Sequence, residues 1–433
     1  MKPTARSRSA RFCSSESNVD HLFRSEAGRL VSVLTRIFGA HNLSLAEDAV
    51  QDTLVRALEV WKFEGPPENP SGWLTTAAKN RAIDIIRRDN RFREFAPDLA
   101  LQLKSEWSLV ATVQKVFLES EIADDQLRLM FLCCDPELSE TSQVQLILKT
   151  LGGLHVKEIA RAFLISDSAV ERRLSRARSR LKARGELIAV DDSEAIRKRL
   201  DAVRRAVYLI FNEGYHSTHP ERSVRQELCD EAIRLGRLLV DHPATGEPET
   251  IALLSLICLH AARLPSRTND AGQLLPLAEQ DRSRWNTKLG MEGFRLLDRA
   301  ASGEKLTAFH IEAAIAACHT GAPTFEATNW ALVTQQYDLL LRVRNSPVVA
   351  LNRAIALGHA EGPQAGLDAI DELPADQLRD YPFFHAARAQ FHERLGQLAE
   401  ALQHLDHATS CARNEPEIAY YAALRERWMA SGS

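Results

Sequence analysis

Between His155 and Arg184 nine basic side chains stand against three acidic ones, a local charge of +6. From Asp167 onward Ser168, Glu171, Arg172, Ser175, Arg176, Ser179 and Arg180 recur on one side of the segment. Hydroxyls, a carboxylate and guanidiniums so grouped are the donors and acceptors that meet base edges and phosphates in nucleic acid. The other side carries Val170, Leu174, Ala177 and Leu181, spaced i, i+4, i+7 and i+11, the buried stripe of an amphipathic helix. Upstream, Val156, Ile159, Ala160 and Phe163 trace the buried face of a shorter helix. Leu164-Ile165-Ser166 makes a tight turn, and Ser166 or Asp167 can cap the longer helix after it. An apolar supporting helix over 144–154 stops at Gly152-Gly153. Two short helices around a three-residue break form a helix-turn-helix pattern, predicted over 156–182. Residues near the start of the second helix reach bases, which selects Ser168, Glu171, Arg172 and Ser175. Arg173, Arg176, Arg178, Arg180 and Lys182 are phosphate candidates, with Arg173 and Arg178 nearer the buried side.

A second basic segment precedes it. Residues 44–61 read as a helix with Ala46, Val50, Leu54, Ala57, Leu58 and Trp61 on one stripe and Asp48, Gln51 and Asp52 on another side. That acidic group is either a solvated face or a docking surface for a basic partner helix. Lys62 to Asn69 (KFEGPPEN) reads as a Pro/Gly loop, and Asn69-Pro70 supplies an N-cap and first position for the next helix. There Leu74, Ala77, Ala78, Ala82, Ile85 and Ile86 form the buried side. Thr75, Thr76, Lys79, Asn80 and Asp84 lie away from it, and Arg87, Arg88, Arg91 and Arg93 extend a cationic tail. From Lys79 to Arg93 six basic residues face two acidic ones. Such a tail fits a phosphate-binding surface, and it equally suits the negative end of the helix dipole.

The elements that position these groups are helical nearly throughout. The 433 residues are too many for one ordinary core. The net charge of −4 is unevenly placed: residues 1–184 carry 28 Lys+Arg against 24 Asp+Glu, and the remainder 26 against 34. A basic first part and an acidic second part imply different partners. The longest largely apolar run, Ile251 to Leu259, is far short of the ~20 residues of a membrane helix. The basic, Ser-rich residues 1–17 lack a signal peptide's apolar stretch and read as disordered, so the expected location is the cytoplasm. Seven scattered cysteines with no C-x-x-C pair read as buried free thiols, and no metal or other cofactor is expected. Asn352-Arg353-Ala354 to Asp371 aligns with Ala387-Arg388-Ala389 to Asp406 at an offset of 35, keeping Leu367/Leu402. That is close to the ~34-residue tetratricopeptide period, which favours an α-solenoid over an irregular bundle. FNEGY (Phe211 to Tyr215) offers Glu213, Tyr215 and His216 but no matched acid, base and nucleophile, so no enzyme is expected. It reads instead as a helix end, with Gly214 just past the cap and Tyr215 packing back. His260, His310 and His319 stand isolated on helices.

The motifs AEDAVQDTLVRAL, WLTTAAKNRAIDIIRR and GGLHVKEIARAFLISDSAVERRLSRARSRLK, in this order, resemble the extracytoplasmic-function sigma factors of bacterial RNA polymerase. FNEGYHST, LCDEAIRLGRLL, AAIAACH and SPVVALNRAIAL resemble the branch with a long C-terminal tetratricopeptide-like extension. The resemblance implies an all-α chain: a disordered start (1–17), sigma region 2 (18–95), a linker (96–119), region 4 with the helix-turn-helix (120–185), and an α-solenoid-like extension (194–433). It implies core RNA polymerase, through the β′ clamp helices and the β subunit, and double-stranded promoter DNA as partners, and no membrane. The acidic extension is expected to control activity, either by folding against the basic modules as an intramolecular partner or by docking another protein or a ligand. Asp48, Gln51 and Asp52 match the segment that docks on the clamp helices. Lys79, Asn80, Arg81, Asp84, Arg87 and Arg88 match the segment that melts and reads the −10 element, and the loop around Lys62 to Asn69 lies near where a flipped base is captured. Glu171, Arg172 and Arg176 fall in the helix that reads the −35 element, beside Ser168, Ser175 and Arg180. Leu164 stands where many family members have Gly, so the turn there is expected to differ. The competing reading is a helix-turn-helix regulator with a ligand- or protein-sensing helical domain.

Overall fold

A computed structural model describes residues 22–23, 26–88, 119–163, 165–184, 193–216, 224–269, 273–412 and 414–431. Cys13, residues 96–118 of the expected linker, Arg91, Arg93 and Leu164 lie outside the described residues. The chain divides into two compact units, the first ending at Ile210 and the second beginning at Phe211. The described residues are helical, joined by turns and one isolated β-bridge between Thr268 and Leu274.

In the first unit α1 (26–38) buries Leu30, Leu34, Ile37 and Phe38. Next come α2 (Leu43–Glu64) and α3 (Pro70–Arg88), packed on each other. The buried stripe of α2 is Leu43, Ala46, Ala49, Val50, Thr53, Ala57 and Trp61. Leu58, expected on that stripe, is 53% exposed, because the stripe is rotated toward Thr53. Thr53 is tolerated inside because its hydroxyl donates to the Ala49 carbonyl at 2.9 Å. The expected loop at Lys62 begins later: α2 continues to Glu64 and stops at Gly65, whose φ of 76° and ψ of 165° suit only glycine. Asn69 caps α3 as its sequence implies, its Oδ1 accepting from the Gly72 N–H at 2.9 Å. Leu74, Ala78, Ala82 and Ile83 are buried, while Ala77 and Ile85 are half-buried. A polar stitch ties α1 to α3: Glu26 takes the Arg29 Nε at 2.9 Å and the Ser71 hydroxyl at 3.0 Å, and Arg29 reaches Thr75.

Four helices follow: α4 (Glu119–Cys133), α5 (Glu140–Thr150), α6 (Val156–Ala162) and α7 (Asp167–Arg184). Ser139 caps α5, and Gly153, at φ 62°, turns the chain out of it. Then α8 (Ser193–Tyr215) crosses the boundary between the units, so Gly214 lies inside a helix rather than past its end. What selects glycine there is close approach: a Cβ would lie 2.7 Å from the Cys229 Sγ and 2.9 Å from the Arg225 carbonyl. Early in α8 the buried Arg199 pairs with Asp135 at 3.2 Å and donates to the Phe131 carbonyl.

The second unit continues with α9 (Gln226–Asp241), α10 (Pro248–Ala261), α11 (Thr287–Ala300), α12 (Ala308–Gly321), α13 (Trp330–Val343) and α14 (Pro347–Ala360). It ends with α15 (Pro363–Asp371), α16 (Ala375–Leu378), α17 (Pro382–Arg394), α18 (Leu398–Ser410) and α19 (Glu415–Ser431). Successive apolar clusters follow the chain rather than filling one centre: α9 to α11, α12 to α14, α14 to α17, then α17 to α19. This is the quasi-linear packing of a helical repeat. The residues that align in the sequence explain themselves here. Arg353 on α14 pairs with Asp338 on α13 at 2.5 Å, Arg388 on α17 pairs with Asp371 on α15, and Arg425 on α19 pairs with Asp406 on α18 at 3.2 Å. Each Arg thus ties its helix to the Asp of the helix pair before it. Gly362 and Gly396, 34 residues apart, make the turns inside the two aligned copies with φ of 112° and 76°. Among the described residues no helix is long and apolar enough to cross a membrane.

Gly362 combines φ 112° with ψ 159°, a region nearly closed to other residues. Gly362→Ala is therefore expected to cost about 1–3 kcal/mol, measured as a lower urea midpoint for the second unit. An unchanged midpoint would show that the turn relaxes freely.

Candidate nucleic-acid interface

The roll of α7 about its axis is fixed by Val170, Leu174, Ala177 and Leu181, each 0–2% exposed. They pack against α5, α6 and the turn at Ala40–Asn42. On α6, Ile159 and Ala160 are buried and Val156 half-buried, as is Phe163 just after it. Ser166 rather than Asp167 serves as the cap, its hydroxyl accepting from the Ala169 N–H at 3.3 Å. With that face inward, Ser168, Glu171, Arg172, Ser175, Arg176 and Ser179 are exposed on the opposite one. Arg180 is exposed too, but its guanidinium also donates to the Glu137 carbonyl. Arg173 and Arg178 are half-buried, as their position on the wheel implies.

Arg178 has a different partner from the one its charge suggested. It reaches α2 and pairs with Glu47 at 2.8 Å. Burial raises the Glu47 carboxyl above its ordinary range, against the opposing pull of Arg178 and Lys149, and burial lowers the Lys149 ammonium. Arg36 on α1 lies 3.5 Å from the buried Asp125 on α4. At Gly28 a Cβ would meet the Leu151 carbonyl at 2.0 Å, so α1 lies backbone-on-backbone against the turn after α5. The two basic modules are therefore clasped together in one unit. Asp48 and Gln51 are exposed, and they share a groove of about 630 Å³ with Lys149, His155 and Arg178 from the helix-turn-helix module.

On the outer face of α2 and α3, Asp52 pairs with Arg81 at 2.6 Å, joining two residues that the sequence assigned to separate roles. Thr76, Asn80 and Asp84 are exposed, and Lys79 is half-buried. Arg87 and Arg88 belong to α3, but their side chains lie outside the described residues. Asp52, Arg56, Trp73, Thr76, Asn80 and Asp84 line a second groove of about 760 Å³. The sequence did not mark three exposed apolar side chains on α2: Val55 and Leu58 are more than half exposed, and Phe63 is 85% exposed. Val55 and Leu58 line the same groove as Gln51; Val55 falls off the expected apolar stripe, whereas Leu58 was expected on it.

Residues 22–92 match the family model Sigma-70 region 2, and residues 128–181 match Sigma-70, region 4. Residues 199–301 match a family of unknown function, DUF6596. An uncharacterized protein of Rhizobium meliloti (strain 1021) is 37% identical over 412 residues, covering 93% of this chain and 94% of that protein. The ECF RNA polymerase sigma factor SigK of Mycobacterium ulcerans (strain Agy99) is 28% identical over 153 residues, 32% of this chain and 74% of that protein. The chain belongs to the extracytoplasmic-function sigma factors that carry a long C-terminal helical extension. No solved structure matches it. The α1–α3 segment of this sigma factor is region 2, and α4–α7 include region 4.

Among the described residues no group of His, Cys, Asp and Glu is placed to hold a metal ion. Cys133, Cys134, Cys229 and Cys258 are buried free thiols, and burial pushes Cys133 and Cys258 up to about 12.

Gly28→Val forces α1 away from the Leu151 carbonyl. The expected result is a larger radius of gyration by X-ray scattering and a loss of about 1–3 kcal/mol in the first unit's unfolding transition. If neither changed, the clasp between the modules would not depend on this contact.

Proposed function

We propose that this sigma factor binds core RNA polymerase and directs promoter-specific initiation, with its C-terminal extension controlling when it does so. The observation that carries the reading is the exposed face of α7, held outward by four buried residues in the same unit as region 2. In this reading Ser168, Glu171, Arg172 and Ser175 read the −35 element in the major groove, and Arg176 and Arg180 grip its phosphates. Lys79, Asn80, Arg81, Asp84, Arg87 and Arg88 meet the −10 element. Asp48, Gln51 and Asp52 dock on the β′ clamp helices, with the exposed Val55 and Leu58 adding apolar contact beside them, and region 4 faces the β subunit. The protein works in the cytoplasm and has no catalytic step of its own. Region 2 corresponds to 18–95, region 4 to 120–185 and the extension to 194–433.

Two features support control of access. The Asp48/Gln51 surface shares its groove with Lys149, His155 and Arg178, so polymerase must displace or rearrange region 4 to reach it fully. The extension carries an excess of acidic residues, opposite in sign to the modules that bind DNA.

Run-off transcription with purified core polymerase tests the reading. The full chain is expected to start transcripts from a subset of genomic promoters, and a chain ending after His216 is expected to differ from it in yield. Absence of any transcript with either would overturn the sigma assignment for this chain, and equal yields would remove control by the extension.

Within region 4 the roles separate. Glu171→Ala and Arg172→Ala are expected to change promoter choice, each by about 1–3 kcal/mol between preferred and rejected sites. Lys182→Ala is expected to weaken all sites alike and to lower the salt slope by about one. A uniform loss from Arg172→Ala would move that residue to the phosphate group.

A further inference from the structure

Five arginines among the described residues are buried: Arg199, Arg204, Arg225, Arg263 and Arg267. Three have a carboxylate: Arg199 pairs with Asp135, Arg204 with Asp201 and Arg225 with Glu227. Arg263 and Arg267, each only 7% exposed, have none within ion-pair distance among the described residues. Both line one cavity of the second unit, of about 190 Å³.

Among the described residues, what surrounds them neutralises neither. The Arg267 guanidinium lies 3.9 Å from the centre of the Tyr215 ring, and its Nη2 sits 3.2 Å from the Nδ1 of His216. Its Nε is buried with no hydrogen-bond partner. Arg263 has the Gln280 amide oxygen at 3.4 Å and the Trp285 ring at 5.8 Å. Burial, with Arg267 and Arg282 close by, pushes the Arg263 guanidinium down, and burial with Arg263 and Arg267 pushes His260 down to about 3. Aromatic faces attract a guanidinium but accept few of its five N–H groups. Glu417, a buried carboxylate on the same cavity's wall, is engaged elsewhere and pairs with neither arginine. Uncompensated buried charge is among the costliest arrangements in a protein. Two forked cations converging on one cavity are the complement of an oxyanion. Leu275, Leu277, Phe383 and Tyr421 supply apolar and aromatic wall, with the amides of Gln280 and Gln390 beside them.

We propose that this cavity is a binding site for a small organic carboxylate, its carboxylate held by Arg263 and Arg267 and its apolar body seated against the leucines and aromatic rings. The volume is below the roughly 300 Å³ at which drug-sized sites begin, so the ligand is small. The site also accounts for the FNEGYHST segment, in which Tyr215 props Arg267 from beneath and His216 stands at the rim. It stands apart from promoter recognition, because binding is read on the purified chain without polymerase or DNA.

The test uses the full-length protein at constant ionic strength, with benzoate as the probe and benzamide and inorganic phosphate as comparisons. Thermal shift and isothermal titration calorimetry are expected to show saturable benzoate binding that raises the melting temperature, and no binding of neutral benzamide. Arg267→Lys, which keeps the charge but loses the fork, and Arg263→Gln should each weaken benzoate about tenfold or more. Without any probe, Arg267→Met should melt higher than the wild type, because it removes a buried charge that has no counter-ion among the described residues. A residue present only for stability would lower it. Unweakened benzoate binding in both Arg267→Lys and Arg263→Gln would overturn the proposal. So would binding of phosphate without benzoate, which leaves an inorganic anion site, and so would binding of neither. An Arg267→Met protein that melts lower than the wild type and still binds benzoate would also overturn it.

Discussion

Four side chains decide what the Arg-rich helix of this protein can do. Val170, Leu174, Ala177 and Leu181 lie inside, and no rotation of α7 keeps them there while turning Glu171 and Arg172 inward. Burying four apolar side chains is worth several kcal/mol on the ~25 cal/mol per Å² scale, more than any surface ion pair of the same helix. The polar face is therefore aimed by the apolar one. Arg173 and Arg178 show the limit of the device. They lie at the edge of the buried arc, and Arg178 is diverted to Glu47.

That diversion changes the meaning of the first unit. A sigma factor must present region 2 to polymerase and region 4 to DNA, yet here Gly28 rests on the Leu151 carbonyl and the half-buried Glu47 pairs with Arg178. The Glu47 carboxyl is raised by burial in spite of its partner, so lost hydration offsets part of the pair's Coulomb attraction. Such a contact holds the modules in register without binding them strongly.

Much of this was legible in the sequence, for identifiable reasons. The α7 seam was readable because four apolar residues at helical spacing in an otherwise polar stretch admit one arrangement. The 35-residue alignment was readable because Arg353 and Arg388 each bond an Asp of the preceding helix pair, and that geometry repeats with the fold. Leu58 was misplaced because hydrophobicity alone cannot separate a core leucine from one on a binding face, and Thr53 took the core position by bonding its own helix. Gly214 was read as a helix end because a glycine demanded by close approach looks the same in sequence as one demanded by φ. The pairing of Asp52 with Arg81 was invisible because 29 residues and a turn separate them.

The extension presents the sharpest contrast in its use of charge. On its outer faces arginines are matched: Arg237 to Glu292, Arg344 to Glu312, Arg388 to Asp371, Arg427 to Glu279. Exposed pairs of this kind contribute little, since water would solvate each partner well. Inside, where a counter-ion matters most, Arg263 and Arg267 have aromatic rings, a histidine and an amide close by, and no carboxylate within ion-pair distance among the described residues. Packing alone does not account for that inversion, because two methionines would fill the same volume without the charge. A fold that retains an unfavourable buried group usually does so where function requires it. Tyr215, the last residue of α8, lies against the Arg267 guanidinium, so the segment that the sequence set apart as FNEGY serves this buried charge.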